Sequence, residues 1–242
     1  DIHENVAAQI LDKKHISALL RKTLHCVYRI VEYFLINSFH LILAEDSYKK
    51  LYIDKGQSIT TVLNLPELNS FENFVIDKRI NNGIFYIGGI SNERGLDTTI
   101  MALKILSKRS VDFFMHFIGL VPKNLQDSLN LDNIGDRVKF YGRMDLLEGY
   151  KISRKCKVGL AVLKPITNYK HSYPTKFFEY MSIKLPVITS NFNLYKEVIE
   201  NYDCGYCIDP FSAQELADKI ELLLNDNKTA ERMGENGYQA IN

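Results

Sequence analysis

The sequence predicts an α/β chain in which a complete, doubly wound parallel sheet follows a partial unit of the same kind. Three observations lead there. From Gly83 onward, short apolar runs alternate six times with amphipathic helical stretches, and near-continuous apolar strands belong to parallel sheets covered on both faces. Ahead of Pro66 there is room for only two strands and two helices, too few to close a sheet. The 242 residues, 46% hydrophobic and 24% charged, suffice for one large core or two modest ones.

The first part, residues 1–66, reads as a long helix over 6–34, a strand over 41–44, a helix near 47–52 and a strand around 59–63. It has the look of the tail of an open α/β domain whose earlier strands lie outside the sequence. Residues 67–82, polar and weakly periodic, read as an interdomain crossing. The second domain, 83–242, then runs strand to helix: 84–88 and 96–108, 112–119 and 122–129, 138–142 and 146–155. It continues with 157–162 and the helix after Pro174, 186–190 and 194–200, 204–208 and 212–224. Ser212 and Glu215 form a capping-box pattern at the start of the last of these helices.

The most informative stretch is 171–190, HSYPTKFFEYMSIKLPVITS. Pro174 suits a first helical turn, with Ser172 or Tyr173 at the cap, and Phe177, Phe178 and Met181 make the apolar face. The free N–H groups of Thr175 and Lys176 should then point out of the helix end, where the dipole favours an anion and Lys176 adds a positive charge. Glu179, four residues past Thr175 and three past Lys176, shares their face. A helix end, a cation and a carboxylate aimed at one small volume suit a phosphorylated sugar. The phosphate takes the first two and a ribose diol takes the third. At the carboxyl edge of the first strand, Gly88 and Gly89 permit close approach of a ligand to the backbone, and Arg94 arrives just before the next helix.

The run from Pro174 to Ser190 resembles the donor-nucleotide helix and following strand of the family-4 retaining glycosyltransferases, which have the GT-B fold. The resemblance implies a complete donor-binding domain, a partial acceptor domain, and a final crossover helix beyond Asn242. It assigns Arg94 and Lys176 to the departing diphosphate, Glu179 to the ribose, and Gly88, Gly89, His171, Ser172, Pro174 and Thr175 to donor binding. The turn Phe140-Tyr141-Gly142-Arg143-Met144 matches a loop that presents backbone groups to the base, which brings in Arg143 and Met144. The opening Asp1-Ile2-His3-Glu4 resembles a turn whose histidine faces the donor sugar, so His3 inherits that role. The chain departs from the pattern at three points. His171 stands where the first of two paired glutamates is usual, Gly89 where an arginine is usual, and Lys184 where a glycine ends the helix.

Thirty basic against twenty-nine acidic residues leave a net charge of +1, so no global field draws the chain to nucleic acid. Four scattered cysteines give no disulfide framework. No stretch reads as a signal peptide or a membrane span. No Asp-x-Asp, Walker loop or metal-spaced cluster occurs, so no metal cofactor is expected. Lys13, Lys14, His15, Arg21, Lys22 and Arg29 interleave with apolar residues, which fits either a solvated face or peripheral contact with anionic lipid. The expectation is a metal-independent, retaining hexosyltransferase of capsule, O-antigen or exopolysaccharide synthesis. It would be cytoplasmic or at the inner face of the cell membrane, using a nucleotide-sugar donor and a saccharide or lipid-linked acceptor. A nucleotide-sugar epimerase of the same fold and a non-catalytic nucleotide-sugar binding domain are the alternatives.

Overall fold

The computed structural model describes residues 1–13, 16–52 and 58–241. The chain divides into two compact units, one made of Asp1–Leu65 with Pro165–Tyr173, the other of Pro66–Lys164 with the stretch from Pro174 onward. It therefore crosses between units at Leu65/Pro66, Lys164/Pro165 and Tyr173/Pro174.

In the smaller unit the expected single helix over 6–34 is two helices, α1 (Val6–Asp12) and α2 (Ala18–Ile36). Each has its own side-chain cap: Asn5 accepts from the amide of Ala8 at 3.0 Å, and Ser17 from that of Leu20 at 3.4 Å. Such residues favour helix starts over helix interiors, and Ser17 opens a second helix. Lys14 and His15 of the expected basic face lie outside the described residues. Next come β1 (Leu41–Leu43), a 3₁₀ turn (Asp46–Tyr48) running into α3 (Lys49–Tyr52), and β2 (Ile59–Thr61), which pairs in parallel with β1. Ile2 bridges to Leu43 on the open side of β1. Ile36, Leu41, Leu43, Tyr48 and Tyr52 form the small core. Most of α2 stays uncovered: Leu19 is 79% and Phe34 66% exposed.

After β1, Glu45 is buried and accepts a hydrogen bond from the Tyr173 amide at 3.1 Å. Burial pushes its carboxyl up to about 7.

The larger unit holds a six-stranded sheet, all pairs parallel. Its strands are β3 (Gly83–Ile87), β4 (Phe114–Ile118), β5 (Val138–Phe140), β6 (Cys156–Ala161), β7 (Val187–Ser190) and β8 (Gly205–Ile208). Their spatial order is β5-β4-β3-β6-β7-β8. The helices are α4 (Leu96–Lys108), α5 (Lys123–Asp127), α6 (Leu146–Ser153), α8 (Thr175–Ser182), α9 (Asn193–Ile199), α10 (Ala213–Asn225) and α11 (Asn227–Ile241). α7 (Thr167–His171) belongs to the smaller unit.

On one face of the sheet, Leu96, Ile100 and Leu103 of α4 and Leu216, Ile220 and Leu223 of α10 close the core over Ile84, Met115 and Val158. On the other face, aromatic rings fill the space. Phe85 lies 5.4 Å from Tyr150 and 5.6 Å from Tyr180, and a Cβ on Gly159 would come within 2.4 Å of the Tyr180 ring. Ser212 caps α10 as the sequence suggests, but Glu215 closes onto the amide of Asp209.

Residues 67–82, expected as a crossing, pack within the larger unit. A 3₁₀ segment, Leu68–Phe74, buries Phe71 and Phe74, with Phe71 edge-on to Tyr150 at 4.8 Å. Buried Arg79 donates to the carbonyls of Ser153 (2.7 Å), Cys156 (2.9 Å) and Lys184 (3.3 Å), and to that of Ile183. It satisfies main-chain groups at the ends of α6 and α8. Lys184 sits at φ 55, the left-handed conformation that glycine usually supplies at a helix end.

Candidate functional site

In this strand order the connections reverse direction between β3 and β6, and in open α/β sheets the crevice beyond the carboxyl ends at that point is where ligands bind. β3 ends in Gly88, at φ 125. A Cβ there would lie 3.3 Å from Lys176 Nζ and 3.9 Å from Arg94 Nη1, and one on Gly89 would lie 3.9 Å from Arg94 Cζ. The two glycines leave open the spot on which both cations converge.

Local structure sets each of those cations. Arg94 closes a 3₁₀ turn, Asn92–Arg94, that ends at Gly95 in the left-handed region, φ 74. A Cβ on Gly95 would meet the Val162 carbonyl at 2.7 Å, so only glycine lets the turn settle against the end of β6. Lys176 lies in the first turn of α8, buried, its Nζ 4.1 Å above the Tyr86 ring. That ammonium has no hydrogen-bond partner among the described residues. Burial, and then the charge of Arg94, bring its pKa down to about 7, while Glu179 pulls the other way.

Glu179, one turn further along, accepts a hydrogen bond from the hydroxyl of fully buried Tyr150 at 2.5 Å. Burial raises its carboxyl pKa, and Tyr150, Lys176 and Thr175 hold it back. Tyr86 donates its hydroxyl to the Gly89 carbonyl at 2.5 Å and also meets Arg94. Neither tyrosine was anticipated. Each occupies an apolar position of its element and reads as core, and only the hydroxyl at its tip reaches the site.

α8 starts one residue later than the sequence suggests. Pro174 is its N-cap, with ψ 121, rather than part of the first turn, and neither Ser172 nor Tyr173 caps it. A residue before proline is driven to extended backbone, and the Ser172 hydroxyl instead donates to the Asn168 carbonyl at 2.9 Å, closing α7. The amide of Phe177 bonds to the Pro174 carbonyl at 3.0 Å, so those of Thr175 and Lys176 lie ahead of that bond.

The larger unit thus brings Gly88, Gly89, Arg94 and Lys176 together at one strand edge, with Thr175 and Glu179 on the same helix. It leaves Arg143 exposed, and Met144 beside Gly149, with its Sδ 3.7 Å from where a Cβ of Gly149 would stand. Gly142, at φ 71, faces open space. His3, His171 and Ser172 belong to the smaller unit. His3 is exposed and pairs with the Asp1 carboxylate at 2.9 Å. Exposed His171 ends α7, and its carbonyl accepts from Ser47 Oγ. Burial pushes the thiols of Cys204 and Cys207 up to about 12, which leaves them inert as nucleophiles. Among the described residues, no group of three or more His, Cys, Asp or Glu side chains is placed to hold a metal ion. No described helix is long and apolar enough to cross a membrane.

Residues 72–240 match the family described as glycosyl transferases group 1. The chain belongs to that family. It is 28% identical over 155 residues to the alpha-D-kanosaminyltransferase of Streptomyces kanamyceticus, covering 63% of this chain and 39% of that protein. With the capsular polysaccharide biosynthesis glycosyltransferase CapM of Staphylococcus aureus it shares 22% over 207 residues, 75% of this chain and 50% of that one. The chain spans half or less of the length of these curated relatives. Similar solved structures include Anabaena HepE in complex with UDP-glucose, with TM-score 0.69, 16% identity, 99% of this chain and 66% of that one. WaaG, a glycosyltransferase involved in lipopolysaccharide biosynthesis, gives TM-score 0.68 at 18% identity, over 100% of this chain and 68% of that one. The architecture of these group 1 enzymes is GT-B, and the six-stranded parallel sheet with a second small sheet is the form it takes here.

Proposed function

We propose that the chain carries the donor-binding part of a glycosyltransferase that moves a sugar from a nucleotide diphosphate to an acceptor hydroxyl. The observation that supports it most is the buried, partnerless ammonium of Lys176 beside Arg94 at the open backbone of Gly88. A buried ammonium set beside a guanidinium is costly, and a diphosphate bound between them removes that cost.

In the reaction the bond from the anomeric carbon to the diphosphate oxygen breaks and the bond to the acceptor oxygen forms on the same face. The acceptor proton passes to the departing diphosphate. Lys176, Arg94 and the first amides of α8 stabilise the negative charge as it develops, in the manner of an oxyanion hole. Glu179, oriented by Tyr150, accepts from the ribose hydroxyls. The backbone around Arg143 and Met144 takes the base, and His3 the donor sugar. Retention, a hexosyl donor, independence from metal, and a place in the cytoplasm or at the inner face of the cell membrane are parts of the same reading. Bacterial surface polysaccharide is the product class we favour, on the likeness to CapM and WaaG.

Calorimetric titration of UDP, GDP and ADP tests it. One of the three should bind the native chain, and Lys176→Ala should weaken it by about ten- to a hundredfold, the worth of one desolvated charge-assisted contact. Equal affinity in both proteins would remove the phosphate from this place.

A further inference from the structure

Parallel sheets usually carry helices on both faces, yet one face of the outer strands β4 and β5 is open. Phe114 and His116 of β4, with Lys139 and Tyr141 on and just past β5, share that face. Their neighbours Met115, Phe117 and Val138 point into the core on the other side. With residues 81–83 entering β3 and Lys155 just past α6, they line an open groove of about 670 Å³. The groove lies over the amino-terminal ends of the strands, at the opposite edge from Lys176.

Its floor is a row of rings. The Phe114 and His116 centroids are 4.8 Å apart, and His116 stacks on Tyr141 at 5.8 Å and 26°, with His116 Nδ1 and the Tyr141 hydroxyl 2.9 Å apart. Its rim is cationic. Lys139 Nζ stands 4.8 Å above the Tyr141 ring and Lys155 is exposed beside it. Neither lysine forms an ion pair among the described residues. Arg137 bonds to the Val111 carbonyl and lies over the Phe113 ring. The acidic group of the lining, Asp112, accepts from Asn82. Buried His116 feels this field: burial, then Lys155, then Lys139, bring its pKa down to about 4.

We propose that this groove is a second ligand site, for a sugar bearing a carboxylate or a phosphate, independent of the site at Lys176. The aromatic row offers an apolar floor for the C–H face of a sugar ring. Lys139 and Lys155 supply the charge that an anionic substituent needs, and a pocket of this size fits one or two sugar rings better than a nucleic-acid backbone.

The test follows the ring resonances of His116 by NMR at neutral pH while glucuronate, glucose 6-phosphate, glucose or inorganic phosphate is added. Glucuronate or glucose 6-phosphate should shift them saturably, and which of the two binds more tightly tells carboxylate from phosphate. Glucose should not shift them, and inorganic phosphate should bind more weakly than the charged sugars. In Lys139→Ala/Lys155→Ala, both changes at exposed positions, affinity should fall about tenfold or more. UDP titration of the same variant should match the native chain, which shows that it folds and keeps the two sites distinct. The proposal is overturned if the charged sugars fail to saturate by about 10 mM, if the double variant binds them as well as the native chain, or if inorganic phosphate binds as tightly as glucose 6-phosphate.

Discussion

The two units bury their sheets to different degrees. In the larger one, α4 and α10 cover one face, α6 and α8 cover much of the other, and residues as far apart as Ile84 and Leu223 are fully enclosed. In the smaller one, two three-residue strands and the bridge at Ile2 support a five-residue core, while α2 leaves Leu19, Val27, Ile30 and Phe34 more than half exposed. In α2 basic and apolar residues interleave, and only Glu32 and Ile36 of it are buried. The difference teaches where charge can be concentrated. Only the deeper framework holds Lys176 buried and unpaired, because the cost is spread over a large cooperative core.

The comparison would break most visibly in hydrogen exchange. Amides of β3 and β4 should exchange about a thousandfold or more slowly than those of β1 and β2, since local opening tracks the amount of surrounding buried surface. Similar protection in the two sheets, read by mass spectrometry of peptic fragments, would show that the smaller unit is as firmly built as the larger.

A second, smaller effect separates two buried ionisable groups, one in each unit, by sign. Lys176 has its pKa lowered to about 7, so above neutral pH the empty site is largely unprotonated and a bound diphosphate must draw in a proton. UDP affinity should be level below about pH 7 and then fall by up to about tenfold per pH unit above it. Lys176→Met should abolish the slope, and calorimetry in buffers of different ionisation enthalpy should count the proton. A native slope of zero would place the titration elsewhere.

Glu45 behaves in the opposite sense. Its folded pKa, about 7, lies above the ordinary carboxylate value, so its contribution is complete below about pH 4.5 and is lost as pH rises through 7. Glu45→Gln keeps an acceptor for the Tyr173 amide without the charge. It should raise stability at pH 8 by about 1 to 2 kcal/mol, after allowing for the solvent that still reaches the carboxyl, and change little at pH 5. Urea unfolding at the two pH values measures it. The same gain at both would mean that charge is not the reason.

Much of the larger unit was legible because its elements obey local rules. The period changes from strand to helix six times, Ser212 caps α10, and α4 falls on the expected residues. Arg94 and Lys176 were legible for a similar reason, since a glycine turn and a helix start each dictate where the adjoining cation goes. What escaped depends on contacts between residues distant in sequence. Arg79 looks like a linker residue until the carbonyls of Ser153 and Ile183 are brought to it. Tyr150 looks like core until Glu179 meets its hydroxyl. α7 has only five residues, and α11 carries Gly234 and Gly237, which weaken any helical reading. Gly234 is needed because a Cβ there would sit 2.4 Å from the Lys184 carbonyl.

Each of the three places where the chain passes from one unit to the other has a proline on its far side: Pro66, Pro165 and Pro174, half of the six prolines in the sequence. The ring fixes its own φ and narrows the choices of the residue before it, so no helix runs through a junction. A protease cut at Leu65/Pro66 would leave residues 1–65 attached only through noncovalent contacts with residues 165–173 of their own unit, such as that of Ser47 with the His171 carbonyl.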